Sequence, residues 1–214
     1  MKRVLQTIDV IDAACTGCYR CERACPTGAV TMVGPRKEAV AVVDDAACIA
    51  CFRCIDVCDD DAMLIRERDD PLIVGTDYKQ VDPTAIDALC LAAGLDARQQ
   101  GCLCSSTKVR EMAAAVILGA TTFEALARAT GAASGCLLYC SVPMRRILAA
   151  YADDGEIDES ASKVRRYDSV QVLLDVAPDA ADDQPIFALR REHAAAVAAH
   201  EQRTAAATAR KEQA

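Results

Sequence analysis

The sequence predicts an α+β protein assembled from small units stapled by cysteine, and three observations carry that expectation. A cysteine pattern occurs twice: Cys15, Cys18, Cys21 and Cys25 stand at x2, x2, x3 spacing, and Cys48, Cys51, Cys54 and Cys58 repeat it 33 residues later. The neighbours repeat too, Asp12-Ala13-Ala14-Cys15 returning as Asp45-Ala46-Ala47-Cys48 and Tyr19-Arg20-Cys21 as Phe52-Arg53-Cys54, so the stretch is an internal duplication. The 214 residues include 13 Cys but no Trp, 3 Phe and 5 Tyr, too few bulky side chains for one large apolar core, and short segments of this kind need a metal or disulfide staple. Most strand signals also fall in the first third of the chain, and the helix signals after it.

Residues 1–11 read as a short strand through Val4, Ile8, Val10 and Ile11. Val30–Val33, a turn at Gly34-Pro35 and Ala39–Val43 form a hairpin between the two cysteine runs. Met63–Ile65 is the counterpart of Val30–Met32, and Arg66 to Pro71 is a charged break. Asp82-Pro83 opens a helix through Ala92 that stops at Gly94. A helix over Thr107–Leu118 ends at Gly119, a second starts at the capping box Thr121-Thr122-Phe123-Glu124 and ends at Gly131, and Pro143 takes the first position of a third through Tyr151. Asp153 to Ser160 is an acidic linker, Ser169–Val176 a strand, and the Ala-rich stretch from Ile186 is helical by propensity. The domains expected are residues 1–70, a helical connector over 71–100, a helical unit over 101–152, and a tail over 153–214 available for partner docking.

Charge and apolar patterning restrict the function. A net charge of −8 disfavours nucleic acid, whose phosphates need a basic face, and favours a partner protein with a basic docking patch. Met112 to Ala120 is the longest other apolar run, too short for a membrane span, and Asp9 and Asp12 interrupt the apolar stretch after Met1-Lys2-Arg3 before it resembles a signal peptide. A cytoplasmic protein is expected, and there tight cysteine clusters are more often metal sites than cystines.

Thiolates suit iron, and one cube of four irons needs four sulfurs around it. The competing reading gives each run one structural zinc, but zinc sites pair two CxxC knuckles across a longer gap. On its two CxxCxxCxxxC runs, the first ending Cys25-Pro26, the stretch over residues 12–65 resembles the bacterial-type ferredoxins with two [4Fe-4S] clusters. That resemblance implies a small ferredoxin-like domain with a pseudo-two-fold repeat. It also implies crossed ligation: one cluster on Cys15, Cys18, Cys21 and Cys58, the other on Cys48, Cys51, Cys54 and Cys25. The second run departs from the family with Cys58-Asp59-Asp60-Asp61 in place of Cys-Pro, and three carboxylates beside a negative cluster favour its oxidised form. Tyr19 and Phe52 are expected to shield clusters, and Arg20 and Arg53 to be surface or salt-bridge residues.

Cys102, Cys104, Cys136 and Cys140 form a second constellation, C-x-C and C-x3-C, whose spacing suits a [2Fe-2S] rhomb and a zinc ion equally. Two helices on a glycine turn also match a helix-turn-helix, which the acidic balance opposes. With Gly119-Ala120-Thr121-Thr122-Phe123-Glu124-Ala125-Leu126 and Ala129-Thr130-Gly131-Ala132-Ala133-Ser134-Gly135-Cys136 between the cysteines, the segment resembles the bacterioferritin-associated ferredoxin type of [2Fe-2S] domain. Members usually close with two or four residues between the last cysteines, and this chain has three. Cys90 has no ligand-spaced neighbour and reads as a buried apolar thiol.

No dinucleotide fingerprint or catalytic triad is present, and His193 and His200 lie in the tail, where they read as solvent-exposed. The expected function is electron transfer through two [4Fe-4S] clusters and one [2Fe-2S] cluster, as the ferredoxin-like subunit of a larger oxidoreductase with no catalytic site of its own. Its expected partner is a flavoprotein or other oxidoreductase subunit with a basic face, in a hetero-oligomer. Alternatives are a cluster scaffold or regulatory ferredoxin, and a zinc-stapled interaction protein. With clusters of about −2 each the loaded chain would carry about −14.

Overall fold

The structure, a computed structural model, describes residues 1–35 and 38–152 together with Asp179 and Arg190, and every element below lies in the unit Met1–Val164. The acidic linker, the strand expected over Ser169–Val176, both histidines and, apart from Arg190, the Ala-rich stretch fall outside the described residues. What is described mixes short helices with two-stranded sheets, as an α+β fold requires. Among the described residues no helix is long and apolar enough to cross a membrane.

β1, Lys2–Val10, pairs antiparallel with β4, Met63–Val74, from Val10 opposite Met63 to Lys2 opposite Val74. This overturns the charged break at Arg66–Pro71, which is strand. The register shifts between Val4 and Gln6, whose partners are Leu72 and Glu67, so Pro71 falls in the irregular part, where its missing N–H interrupts no regular ladder. The charges act as ties. Arg66 pairs with Asp9 at 2.9 Å and Asp45 at 2.5 Å, and Arg68 donates to Gln6 O at 2.9 Å and Cys48 O at 2.5 Å.

β2, Val30–Val33, and β3, Val40–Val43, form the expected hairpin, Val30 facing Val43. Two short helices, α1 (Arg20–Ala24) and α2 (Arg53–Asp56), each follow one cysteine loop. Four of the ten buried residues of this core are Cys21, Cys25, Cys48 and Cys54, around Ile8, Val30 and Met63. Sulfur occupies the place of the missing aromatics.

The duplication extends to backbone conformation. Gly17 and Ala50 have φ of 66° and 50°, Tyr19 and Phe52 65° and 61°, Gly28 and Asp61 66° and 51°, each pair 33 residues apart. Each loop therefore curls left-handed at the same three points. Ala50 has no such freedom, because a Cβ in this region meets the following carbonyl at a cost of ~1–2 kcal/mol. Ala50→Gly should raise stability by about 0.5–1 kcal/mol, net of the added unfolded-state entropy. A thermal scan of the loaded protein checks this, and a lowered midpoint contradicts it.

The second core begins within the expected connector. α3, Pro83–Ala92, has Pro83 at its start and Asp82 as cap, with Oδ1 accepting from Thr84 N at 2.9 Å. Its Ile86, Leu89 and Cys90 bury in the same core as α4 (Val109–Ile117), α5 (Phe123–Thr130) and α6 (Leu138–Tyr151). Cys90 is 1 % exposed, and burial pushes its thiol up to about 11.

Three boundaries differ from expectation. β5 (Gln100–Cys102) pairs with β6 (Thr107–Lys108), so the helix expected from Thr107 starts at Val109, and Thr107 Oγ1 donates to Thr130 O at 3.0 Å instead. The cap of α5 is Thr122, not Thr121: its Oγ1 accepts from Ala125 N at 3.1 Å, which leaves Glu124 out of the capping-box position. Pro143 lies inside α6, which starts at Leu138. At that depth proline deprives only the Tyr139 carbonyl of its partner.

The two cores are fastened along the end of β4. Gly75 N and Thr76 Oγ1 both donate to Ala129 O at 3.1 Å, and Lys2 Nζ donates to Ser105 O at 2.5 Å.

Candidate metal centres

All thirteen cysteines are free thiols, and twelve of them line three places in the fold. In the first loop, a 3-10 turn over Asp12–Ala14 delivers Cys15, the left-handed Gly17 and Tyr19 swing Cys18 round, and α1 carries Cys21. The second loop does the same with Cys48, Cys51 and Cys54 on α2. Each loop thus curls three sulfurs toward one centre.

The fourth sulfur comes from the other run. Cys15, Cys18, Cys21 and Cys58 line one hollow of about 300 Å³ of non-atom space, partly open to solvent, closed by Tyr19, Met32 and Met63. Cys25, Cys48, Cys51 and Cys54 line a second of about 310 Å³, closed by Ile8, Val30 and Phe52. The cause is the chain direction after each short helix. Past Cys21, α1 runs away from its own loop and the extended Cys25 (φ −74°, ψ 111°) turns into the other half. By the repeat, Cys58 does the converse.

The walls are mostly apolar apart from sulfur, with Thr16 and Asp60 at the first hollow and Thr27 at the second, and burial against them sets the protonation of the inner thiols. Burial pushes Cys21 up to about 11 and Cys54 up to about 12, and raises Cys51. A thiolate is held in such a place only with a compensating cation, so the hollows suit metal-bound sulfur far better than free anions. Backbone N–H groups are aimed to help: Glu22 N–H at Cys21 and Ile55 N–H at Cys54, again 33 residues apart, with Arg53 N–H at Cys51. Thr27 Oγ1 stands 3.5 Å from Cys25 Sγ.

The acidic replacement for the second Cys-Pro has specific partners. Asp59 pairs with Arg20, Asp60 Oδ2 accepts from Thr16 Oγ1 at 2.7 Å, and Asp61 occupies the left-handed site held by Gly28 in the first half. Arg20 therefore offsets one of the three charges beside the first hollow.

The remaining four cysteines meet as two pairs. Cys104 Sγ lies 3.8 Å from Cys136 Sγ and accepts from Cys136 N at 3.5 Å; both residues are exposed. Cys102 and Cys140 are buried and hydrogen-bonded, the Cys140 thiol donating, which draws Cys102 well below the usual thiol range and pushes Cys140 up. Cys136 is lowered by the backbone N–H groups of Tyr139 and Leu138. These are orphan donors of the first turn of α6, so the helix starts ahead of Pro143, with its positive end on a sulfur. The C-x3-C stretch straddles the helix start, Cys136 preceding the left-handed cap Leu137 at φ 57° and Cys140 lying in the first turn of α6. Leu103, Leu138 and Tyr139 stand exposed beside this site.

Two features escaped sequence reasoning. Gly135 is required by space, since a Cβ there would stand 2.5 Å from Cys104 Sγ and 2.7 Å from its Cβ. Arg53 is no surface residue: half-buried, it donates Nε to Ala24 O at 3.3 Å and Nη1 to Gly135 O. The only signal for either was adjacency to a cysteine. Among the described residues no three Cys, His, Asp or Glu side chains converge on a point where a single metal ion would sit.

No curated protein and no solved structure matches the chain. Residues 14–68, which contain both duplicated loops, match the family model of the 4Fe-4S dicluster domain, a match that supports a ferredoxin-like 4Fe-4S module in that part of the chain.

Proposed function

We propose that the chain is a one-electron relay with three centres: a [4Fe-4S] cluster on Cys15, Cys18, Cys21 and Cys58, a second on Cys25, Cys48, Cys51 and Cys54, and a [2Fe-2S] cluster on Cys102, Cys104, Cys136 and Cys140. The observation that carries it is the crossed gathering of sulfurs around two apolar hollows within the dicluster segment. Two sulfur pairs, one buried and one exposed, support a two-iron centre at the third site. When bound, each cluster takes up and returns one electron without making or breaking a bond to substrate. The chain supplies the thiolates, the mostly apolar walls that limit water at the two hollows, and the N–H donors that stabilise charge on sulfur.

The setting proposed is the cytoplasm, where thiols persist, and the role that of an electron-transfer subunit in a hetero-oligomeric oxidoreductase, its partner a flavoprotein with a basic docking face. The rival role, cluster storage or delivery, finds support in the exposure of Cys104 and Cys136.

Anaerobic purification with iron and sulfide quantitation tests the assignment, and about ten irons per chain are expected. An EPR-monitored titration should show stable, reversible reduction. Rapid transfer of clusters to an apo acceptor without a stable reduced state would sink the relay in favour of delivery. A chain carrying zinc and no sulfide would sink both.

A further inference from the structure

The second hollow and the third site share one guanidinium. Arg53 opens α2, and its side chain reaches the carbonyls of Ala24 and Gly135. Those carbonyls belong to the peptides that enter Cys25, a sulfur of the second hollow, and Cys136, an outer sulfur of the third site. Its counterpart in the duplication is engaged elsewhere: the Arg20 side chain is 54 % exposed and pairs with Asp59. Among the described residues Arg53 forms no ion pair, so its donors and charge remain directed at the two sites.

From this geometry, and resting on the relay reading, we infer that Arg53 is the positioning residue of the electron crossing between the second hollow and the third site. It fixes the Cys25 and Cys136 loops relative to each other, and the first hollow is the outer terminal of the chain of centres. The electron lost at the second hollow is the one gained at the third site, with no proton moved and no bond broken. A planar fork suits the role, because one cation bonds two carbonyls in a fixed relative direction. The interface does not depend on it for docking, since Gly75, Thr76 and Lys2 make separate hydrogen bonds across it.

The test uses the full chain, loaded anaerobically, as wild type, Arg53→Gln, Arg53→Lys and the control Arg20→Gln. Hydrogen exchange over 24–25 and 135–136 should quicken about tenfold in Arg53→Gln, the loss of ~1.4 kcal/mol from the local opening equilibrium. In EPR of the reduced protein, the spin–spin broadening between the second-hollow and third-site signals should weaken, and the second-hollow potential should fall with the lost charge. Arg53→Lys should restore the potential but neither the exchange nor the broadening, because an ammonium is a point donor. Arg20→Gln should leave exchange at 135–136 unchanged. Wild-type exchange and broadening in both Arg53 variants would overturn the inference, as would broadening that links the third site to the first hollow. A wild type whose centres take up no electrons defeats the relay reading separately, and the exchange measurement still decides whether Arg53 holds the two loops.

Discussion

Cys58→Ser should abolish the cluster of the first hollow although Cys58 belongs to the second cysteine run, lowering iron from about ten to about six per chain. Cys58 lines the hollow with Cys15, Cys18 and Cys21, and its nearest sequence partner Cys54 lines the other. The decisive comparison is spectroscopic. The EPR spectrum of reduced Cys58→Ser should match that of Cys18→Ser and differ from Cys51→Ser, while Cys25→Ser should match Cys51→Ser. If Cys58→Ser resembles Cys51→Ser, ligation follows the runs and the crossed assignment is wrong. The loss should reach beyond one site. Cys21 sits in the same core as Cys25, Cys48 and Cys54, which has few large apolar side chains, so an empty first hollow leaves that core without the group that would fill the space beside Cys21.

Gly135→Ala should remove the third centre and spare the other two, taking about two irons of about ten. The obstacle is space alone, because Gly135 is not among the positive-φ residues and its backbone suits any side chain. The new methyl would meet Cys104 at both Sγ and Cβ. Rotation about χ1 moves the sulfur but not the Cβ, so the Cys104 segment itself must shift. Cys104 is exposed and can swing outward, so the fold should survive with stability within about 1 kcal/mol of wild type while the sulfur pair is broken. Iron content read beside the thermal midpoint separates the outcomes. A full complement of iron would show that Cys104 is no ligand, and unfolding would show that Gly135 serves the core rather than the site.

Much of the sulfur chemistry was legible because it is local. The duplication was readable from spacing, and the loops at Tyr19 and Phe52 adopt the same left-handed turns because the same neighbours surround them. Helix ends set by one residue, at Asp82 and Gly131, were also readable, since a cap acts within a single turn. The misplaced boundaries share another cause. Arg66–Pro71 looks like a break by composition, but β1 supplies a strand edge and Asp9, Asp45, Gln6 O and Cys48 O receive the arginines. Pro143 looks like a helix start, but α6 already begins at Leu138, with the N–H groups of Leu138 and Tyr139 facing the Cys136 sulfur. Thr107 looks helical, but its hydroxyl finds the Thr130 carbonyl.

The sequence by itself determined which cysteines share a curled loop, because three sulfurs at x2 spacing on one segment need nothing beyond that segment. Tertiary structure decided the rest. It brought Cys25 and Cys58 into the opposite hollows, a crossing expected only through the family resemblance, joined residues 81–93 to the core of the third site, and turned Arg53 from the surface to two carbonyls, one of them 82 positions away. The reason is range. Backbone conformation and caps depend on residues within a turn or two, whereas a shared guanidinium depends on where separate segments meet, which no spacing records.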